Sequence, residues 1–393
     1  MTTNTPIKGA DRLDLVQEYY FSRKLKEVAR MNREGKDIVS LAIGSPDMPP
    51  SEQTINKLCE VARQPDSHGY QPTIGTPELR QAMATFYKNW YGVDLDSQSE
   101  VLPLIGSKEG ILHVTLAFCN PGDTVLVPDP GYPTYTSLST LLGANVAKYD
   151  LKEDNGWQPD FEKLEQTDLS QVKLMWTNYP HMPTGAPARR ETYQRLVDFA
   201  RRHNIVVVND NPYSFILNDK PLSIMQVEGA REYCIEFNSM SKSHNMPGWR
   251  VGMCITNEKF ISWIMKVKSN IDSGTFRGLQ LAAAEALTHN STEWHRENNI
   301  TRYRQRRSLA EDIMKALGCA YDPSQVGMFL WGRIPESYRN AEELTERVLH
   351  ESRVFITPGL IFGNNGGRYI RISLCAKDEQ IKEALRRIKA VFK

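Results

Sequence analysis

The stretch SMSKSHNMPGWRVG, Ser239 to Gly252, sets Lys242 between two serines just past the apolar run YCIEF, Tyr233 to Phe237, which reads as a buried strand. Arg250 follows in a Pro-Gly-Trp turn. A lysine delivered by a buried strand suits chemistry, because burial disfavours the ammonium and frees the nucleophilic amine. Other reactive side chains stand just past other strand-like runs: Tyr132 in PDPGYP, Asn178 in TNYP, Asp210 and Tyr213 in NDNPY, and Ser239 and Ser241 beside the lysine. An amine forms a Schiff base with an aldehyde, a buried carboxylate keeps a ring nitrogen protonated, a phenol bonds a phenolic oxygen, and a second aromatic stacks on a ring face. The stretch PLIGSKEGILHV adds an apolar strand end, a glycine, Ser107 and Lys108, and then a helical run. Amides at a helix start, hydroxyls and a cation are what a phosphate needs, and Ser239, Ser241 and Arg250 supply more of both side-chain types. Pyridoxal 5′-phosphate carries the aldehyde, the basic ring and the phosphate together.

Taken singly, each residue has an ordinary reading. A lysine after a strand is usually a solvated surface group, and Asn-Asp-Asn-Pro is a strong turn signal. The joint spacing is what points to one crevice, because ligands of an open parallel sheet bind outside the carboxyl ends of its strands.

The elements that must position these residues are visible in the pattern. DTVLVPDP, VKLMWTNYP, NIVVVNDNPY, EYCIEFNSMS and RVGMCITN read as strands, and TPELRQAMATFYKNWYG and ARRETYQRLVDFARRHN read as helices between them. The alternation predicts an α/β fold, a large domain with a mostly parallel sheet flanked by helices. Toward the C-terminus long helices followed by GMFLWGRI and YIRISLC predict a smaller α+β domain. The expected division is a large domain over residues 48–285, and a small domain made of 1–47, including an N-terminal arm, with 286–393.

Composition narrows the partners. The 393 residues are long enough for two cores, and 48 Lys+Arg against 47 Asp+Glu leave a formal charge of +1. No long-range field favours nucleic acid or an anionic membrane, so a small molecule is the expected partner. Six cysteines are scattered without a CxxC pair, which argues against a disulfide framework and against a metal site. The first twenty residues lack an apolar signal core, and no run of about 18 apolar residues occurs, so the expectation is a cytoplasmic protein.

Across nearly the whole chain the sequence resembles the class I/II aminotransferases of the fold-type I pyridoxal-phosphate enzymes. The resemblance rests on the order and spacing of SLAIGSPDMPP, YQPTIGTPELRQA, GSKEG, NPGDTVLVPDPGYPTY, NYPHMPTGA, NDNPYSF, SMSKSHNMPGWRVG, TPGLIFG and YIRISL. It implies that Lys242 is the Schiff-base lysine, later the base and acid of a proton shift. It implies that Arg371 grips the substrate α-carboxylate, that the backbone at Gly44 closes over that carboxylate, and that Tyr70 reaches the phosphate in the neighbouring subunit of a homodimer. SNIDSGTFRGLQ, Ser269 to Gln280, resembles the stretch by which one subunit completes the other's site. For Lys108 two roles stay open: backbone to the phosphate alone, or an ammonium reaching an acidic substrate side chain.

In one place the chain departs from the family pattern. Met182-Pro183-Thr184-Gly185 stands where the family reads Asn-Pro-Thr-Gly, and methionine cannot donate the asparagine's hydrogen bond to the cofactor's phenolic oxygen. His181 is a candidate replacement donor. The wording is most similar to the branch holding LL-diaminopimelate aminotransferases and broad-specificity alanine, aspartate and methionine aminotransferases.

The expectation is therefore an aminotransferase that moves an amino group between an L-amino acid and a 2-oxo acid, with 2-oxoglutarate and glutamate as one couple. LL-diaminopimelate aminotransferase is the narrower alternative. A pyridoxal-phosphate carbon–sulfur lyase and a weakly catalytic regulator that binds the cofactor are the alternatives of another class.

Overall fold

The computed structural model describes residues 7–16 and 20–392. Its strands, in chain order, are β1 (Val39–Ser40), β2 (Val101–Leu104), β3 (Thr124–Asp129), β4 (Asn145–Asp150), β5 (Val172–Thr177), β6 (Val206–Asp210), β7 (Cys234–Ser239), β8 (Gly252–Ile255), β9 (Ala320–Tyr321), β10 (Phe329–Arg333), β11 (Val354–Phe355), β12 (Thr357–Pro358) and β13 (Tyr369–Ser373). Strands β2 to β8 form one seven-stranded sheet in the order β2-β8-β7-β6-β5-β3-β4. The pairs β4–β3, β3–β5, β5–β6 and β6–β7 are parallel, and β8 runs antiparallel to both β7 and β2. This is the mostly parallel sheet the sequence pattern predicts.

Burial on both faces explains the composition of its central strands. Along β6, Val207 joins one hydrophobic core and Val208 the other; along β7, Cys234 faces the first and Ile235 and Phe237 the second. The period of two then sends Asn209 and Glu236 to the first face and Asp210 to the second. Two helices that the sequence marks out have well-defined ends. Thr76 Oγ1 accepts from Leu79 N at 3.3 Å before the helix Pro77–Tyr91, and Gly92 ends it with φ +66°. Asn204, at φ 53°, ends the helix Arg190–His203 in the left-handed conformation that asparagine tolerates.

A second sheet, β12-β13-β10-β9, is antiparallel and lies with the helices Arg302–Ala316, Ala341–Ser352 and Asp378–Val391. The N-terminal segment joins this unit: β1 pairs in parallel with β11, and Leu41 O accepts from Ser373 N at 2.8 Å. Residues 41–44 are thereby laid beside β13, the strand that carries Arg371. All six cysteines are unpaired, and no described helix is long and apolar enough to cross a membrane.

Candidate active site

The carboxyl ends of β3, β5, β6 and β7 open on a cleft of about 620 Å³, closed on its far side by β13, the Phe362 loop, and the helix Tyr20–Arg33. Gly44, Ser107, Lys108, Tyr132, Asp210, Tyr213, Ser239, Ser241, Lys242, Arg250 and Arg371 all line it. Tyr70 does not: it is 94% exposed on the outside of its own chain.

Lys242 lies in the short helical turn that follows β7, and its Nζ donates to Gly44 O at 2.6 Å. Burial pushes this amine down from its ordinary value. The nearby guanidinium groups of Arg250 and Arg371 push it the same way, against the thiol of Cys375 and the carboxyl of Asp210. Asp210 ends β6 and is buried. Its Oδ2 accepts from Tyr135 Oη at 2.9 Å, while Oδ1 has no hydrogen-bond partner among the described residues. Burial pushes its carboxyl up to about 7, against the bond from Tyr135 and the charge of Lys242. Tyr135 lies on the helix Pro133–Leu141 just after Tyr132, stacks on Trp176 at 5.0 Å, and meets the Tyr132 ring edge-on at 5.5 Å. Asn178, past β5, donates to Asp210 O and accepts from Met182 N at 2.8 Å, so the ends of β5 and β6 are tied together.

At the other end of the cleft the helix Ser107–Phe118 starts beneath Arg250. A Cβ on Gly106, whose φ is +76°, would fall 2.2 Å from Arg250 Nη2, so only glycine lets the guanidinium lie against this helix start. Arg250 itself takes φ 58° and donates from Nη1 to Pro247 O at 3.0 Å. Ser239 Oγ accepts from Ser241 N at 3.2 Å, which sets both serines at the end of β7.

The Arg371 guanidinium is held between aromatic rings, 3.9 Å from the centroid of Phe329 and 4.6 Å from that of Phe362. Its Nη2 donates to Ala42 O at 2.8 Å, and its Nη1 lies 3.4 Å from Met182 Sδ. The segment 42–44 is thus fastened to the cleft by Arg371, by Lys242 and by Ser373, whose Oγ donates to Ile43 O at 2.7 Å. Gly44 packs flat on Phe329: a Cβ there would lie 2.3 Å from Phe329 Cζ.

Sequence reasoning missed Tyr135, Phe329 and Phe362. The first had a signal, since GYPTY puts a second tyrosine one helical turn after Tyr132; the phenylalanines meet Arg371 only through tertiary packing. His181 is placed beside the cleft's lining residues, not among them. Its Nδ1 lies 2.8 Å from Thr184 Oγ1, and burial holds its imidazole down at about 3.

The family described as aminotransferase class I and II matches residues 36–388. The protein named LL-diaminopimelate aminotransferase from Dehalococcoides mccartyi is 40% identical over 97% of this chain and 98% of its own. That of Halothermothrix orenii is 40% identical over 98% of both. Among solved structures, substrate-bound BacF from Bacillus subtilis superposes with a TM-score of 0.92 at 35% identity over 98% of both chains. An aspartate aminotransferase single mutant from Thermus thermophilus gives 0.90 at 25% identity, over 98% of this chain and 100% of its own. The chain belongs to the class I and II aminotransferases, with the fold-type I architecture of that family.

Proposed function

We propose that this aminotransferase works with pyridoxal 5′-phosphate and moves an amino group between glutamate and 2-oxoglutarate on one side and a second L-amino acid and its 2-oxo acid on the other. LL-diaminopimelate is the second amino acid its relatives favour. The observation that supports the cofactor is Asp210, a buried carboxyl with one oxygen unpartnered among the described residues, in the same cleft as a lysine amine pushed toward neutrality. A protonated ring nitrogen opposite Oδ1 would relieve the cost of that orphaned acceptor. The Gly106–Arg250 cradle at the start of a long helix suits a phosphate. The residues fit the group.

In this reading Asp210 would pair with the ring nitrogen, Tyr213 would bond the phenolic oxygen and Tyr132 would stack on the ring. Ser107, Ser239, Ser241 and Arg250 hold the phosphate, joined by Tyr70 of a neighbouring subunit in a homodimer. When bound, pyridoxal phosphate supplies an aldehyde that takes up an amino group and a ring that accepts the electrons released at the substrate Cα. Arg371 grips the α-carboxylate with its planar fork, which the two phenylalanines keep from rotating. Gly44 closes over that carboxylate. Lys242 Nζ, whose ammonium burial disfavours, would take the proton from Cα and later return it.

Lys108 supports the dicarboxylate class. It lines the cleft, and its ammonium has no hydrogen-bond or ion-pair partner among the described residues. Glutamate and diaminopimelate each carry a second carboxylate that this charge would attract. We divide the chain into a large domain, 48–285, and a small one, 1–47 with 286–393. The six unpaired cysteines suit the reducing cytoplasm.

The test adds single amino acids to the cofactor-loaded protein without an acceptor. Stoichiometric release of a 2-oxo acid from glutamate and LL-diaminopimelate, with a lasting change in the cofactor's absorption, is expected. Catalytic release of pyruvate and ammonia instead would make the protein a lyase. Lys108→Ala should raise KM for both dicarboxylates and leave that for alanine in place; equal effects on all three would remove Lys108 from substrate recognition.

A further inference from the structure

A second buried carboxylate lies on the opposite face of the sheet from Asp210. Glu236, in the middle of β7, is 0% exposed and does not line the cleft. Its Oε1 accepts from Ser223 Oγ at 2.6 Å and from Tyr87 Oη at 2.9 Å. Its Oε2 accepts from Asn209 Nδ2 at 3.0 Å, Ile224 N at 3.0 Å and Asn211 Nδ2 at 3.4 Å. All five partners are neutral donors, and no cation among the described residues pairs with it. A buried carboxylate without a cation is costly, and a core of leucine or glutamine would avoid the cost. Burial pushes this carboxyl up, against the bonds from Ser223, Ile224, Asn209 and Tyr87, and three of the five partners, Asn209 Nδ2, Asn211 Nδ2 and Ile224 N, are groups that only donate; all three converge on Oε2, where a glutamine amide nitrogen could accept none of them.

The bonds continue outward in a fixed direction. Asn209 gives its amide hydrogens to Glu236 and to Tyr193 Oη, at 3.0 and 3.2 Å, so its Oδ1 is left to face β5. There it accepts from Tyr179 N at 3.1 Å and from Thr177 Oγ1 at 3.2 Å. Asn211, on the other side of Asp210, is tied three times: its Nδ2 donates to Leu222 O at 3.0 Å and to Glu236 at 3.4 Å, and its N donates to Phe237 O at 2.8 Å. The carboxylate therefore joins the ends of β5, β6 and β7. Those ends carry Asn178, Asp210 and Ser239 with Lys242, one set of cleft residues per strand.

We propose that Glu236 is a positioning residue for the cofactor: it locks Asn209 and Asn211 on either side of Asp210 and fixes the three strand ends relative to one another, so that Asp210 and Lys242 meet the ring in register. The proposal rests on the pyridoxal phosphate reading above. It makes Glu236 act through Asp210, without touching substrate or cofactor.

The experiment measures the dissociation constant of pyridoxal phosphate from the full-length protein by absorption and fluorescence, together with kcat, KM and thermal stability. Glu236→Gln should weaken cofactor affinity by about tenfold, the size expected when bonds to a charged group are lost, and should lower kcat while KM for the amino donor stays within about twofold. Asn209→Ser, which keeps the carboxylate and cuts its link to β6 and β5, should move the same quantities the same way and serves if the glutamine variant does not fold. Tyr87→Phe removes a donor that belongs to a helix and to no strand end; it should lower stability and leave cofactor affinity in place. If Glu236→Gln or Asn209→Ser is less stable but binds the cofactor and turns over like the parent, Glu236 is a core group only and the proposal is wrong. If the parent protein itself takes up no pyridoxal phosphate, the cofactor reading fails first.

Discussion

Replacing Gly44 by alanine tests whether the arginine clamp works as a packed unit. The new Cβ would lie 2.3 Å from Cζ and 2.7 Å from Cε1 of Phe329, against about 3.4 Å for the near edge of ordinary contact, so the ring or the segment has to give by roughly 1 Å. Phe329 has little room. It is 6% exposed, its ring carries the Arg371 guanidinium at 3.9 Å, and Tyr213 meets it edge-on at 5.8 Å. Overpacking of this kind costs about 1–3 kcal/mol, and here the strain falls on the ring that keeps the Arg371 fork flat. If about half of it appears in carboxylate binding, KM for every amino donor rises by roughly two- to twelvefold, since about 1.4 kcal/mol is a factor of ten. The assay is steady-state kinetics with several donors, with thermal stability measured alongside. Phe329→Leu in the same chain should recover most of the lost stability by clearing the clash. The reasoning is refuted if Gly44→Ala leaves KM within twofold, or if the added leucine brings no recovery.

Three further outcomes follow from the same structure. Burial holds His295 at about 4 and His181 at about 3, below an ordinary 6.5, so stability from their neutral forms is complete above pH 6.5 and is lost as the pH falls toward those values. For His295 the loss by pH 4 is about 3 kcal/mol, and denaturant titrations between pH 7.5 and 4.5 should show a slope that His295→Phe reduces; an unchanged slope would mean the imidazole is already charged in the folded state. Tyr135→Phe leaves Asp210 Oδ2 without its donor, which should raise that carboxyl further and weaken pyridoxal phosphate binding several-fold, measured by cofactor titration; an unchanged affinity would show that the bond does not matter to the ring site. Met182→Asn restores a donor on the cleft wall and should lower the pH at which the bound cofactor's absorption changes form, and superimposable titrations of the two proteins would count against that account.

How much of this was legible in the residues depends on the range of the interaction. Strands β3, β5, β6, β7 and β8 announce themselves because their burial leaves largely apolar runs, interrupted by Lys173 in β5 and Glu236 in β7, each closed by a turn signal. β4, whose NVAKYD mixes lysine and aspartate into an edge strand, does not. Site residues just past the readable strands, such as Tyr132, Asp210, Tyr213 and Lys242, inherit that legibility, since a parallel sheet points all its strand ends one way. Tyr135, one helical turn further on, needs knowledge that its hydroxyl turns back to β6.

The Met182 position shows where local reading stops. As sequence, Met182 is an absence, a donor removed from the phenolic oxygen. In the structure it is also a presence, because its thioether lies against Arg371 Nη1 at the edge of a guanidinium already covered by two rings. An asparagine there would face the arginine as well as the cofactor, and its carbonyl would compete with a substrate carboxylate for the same Nη1. The two effects are separable: loss of the missing donor acts on the cofactor's spectrum with no substrate present, while competition at Arg371 acts on KM. Met182→Leu, which supplies neither donor nor sulfur acceptor, should therefore leave the spectral titration at its parent position and move only donor KM. A spectrum that follows leucine as it follows asparagine would show that the methionine acts through packing alone.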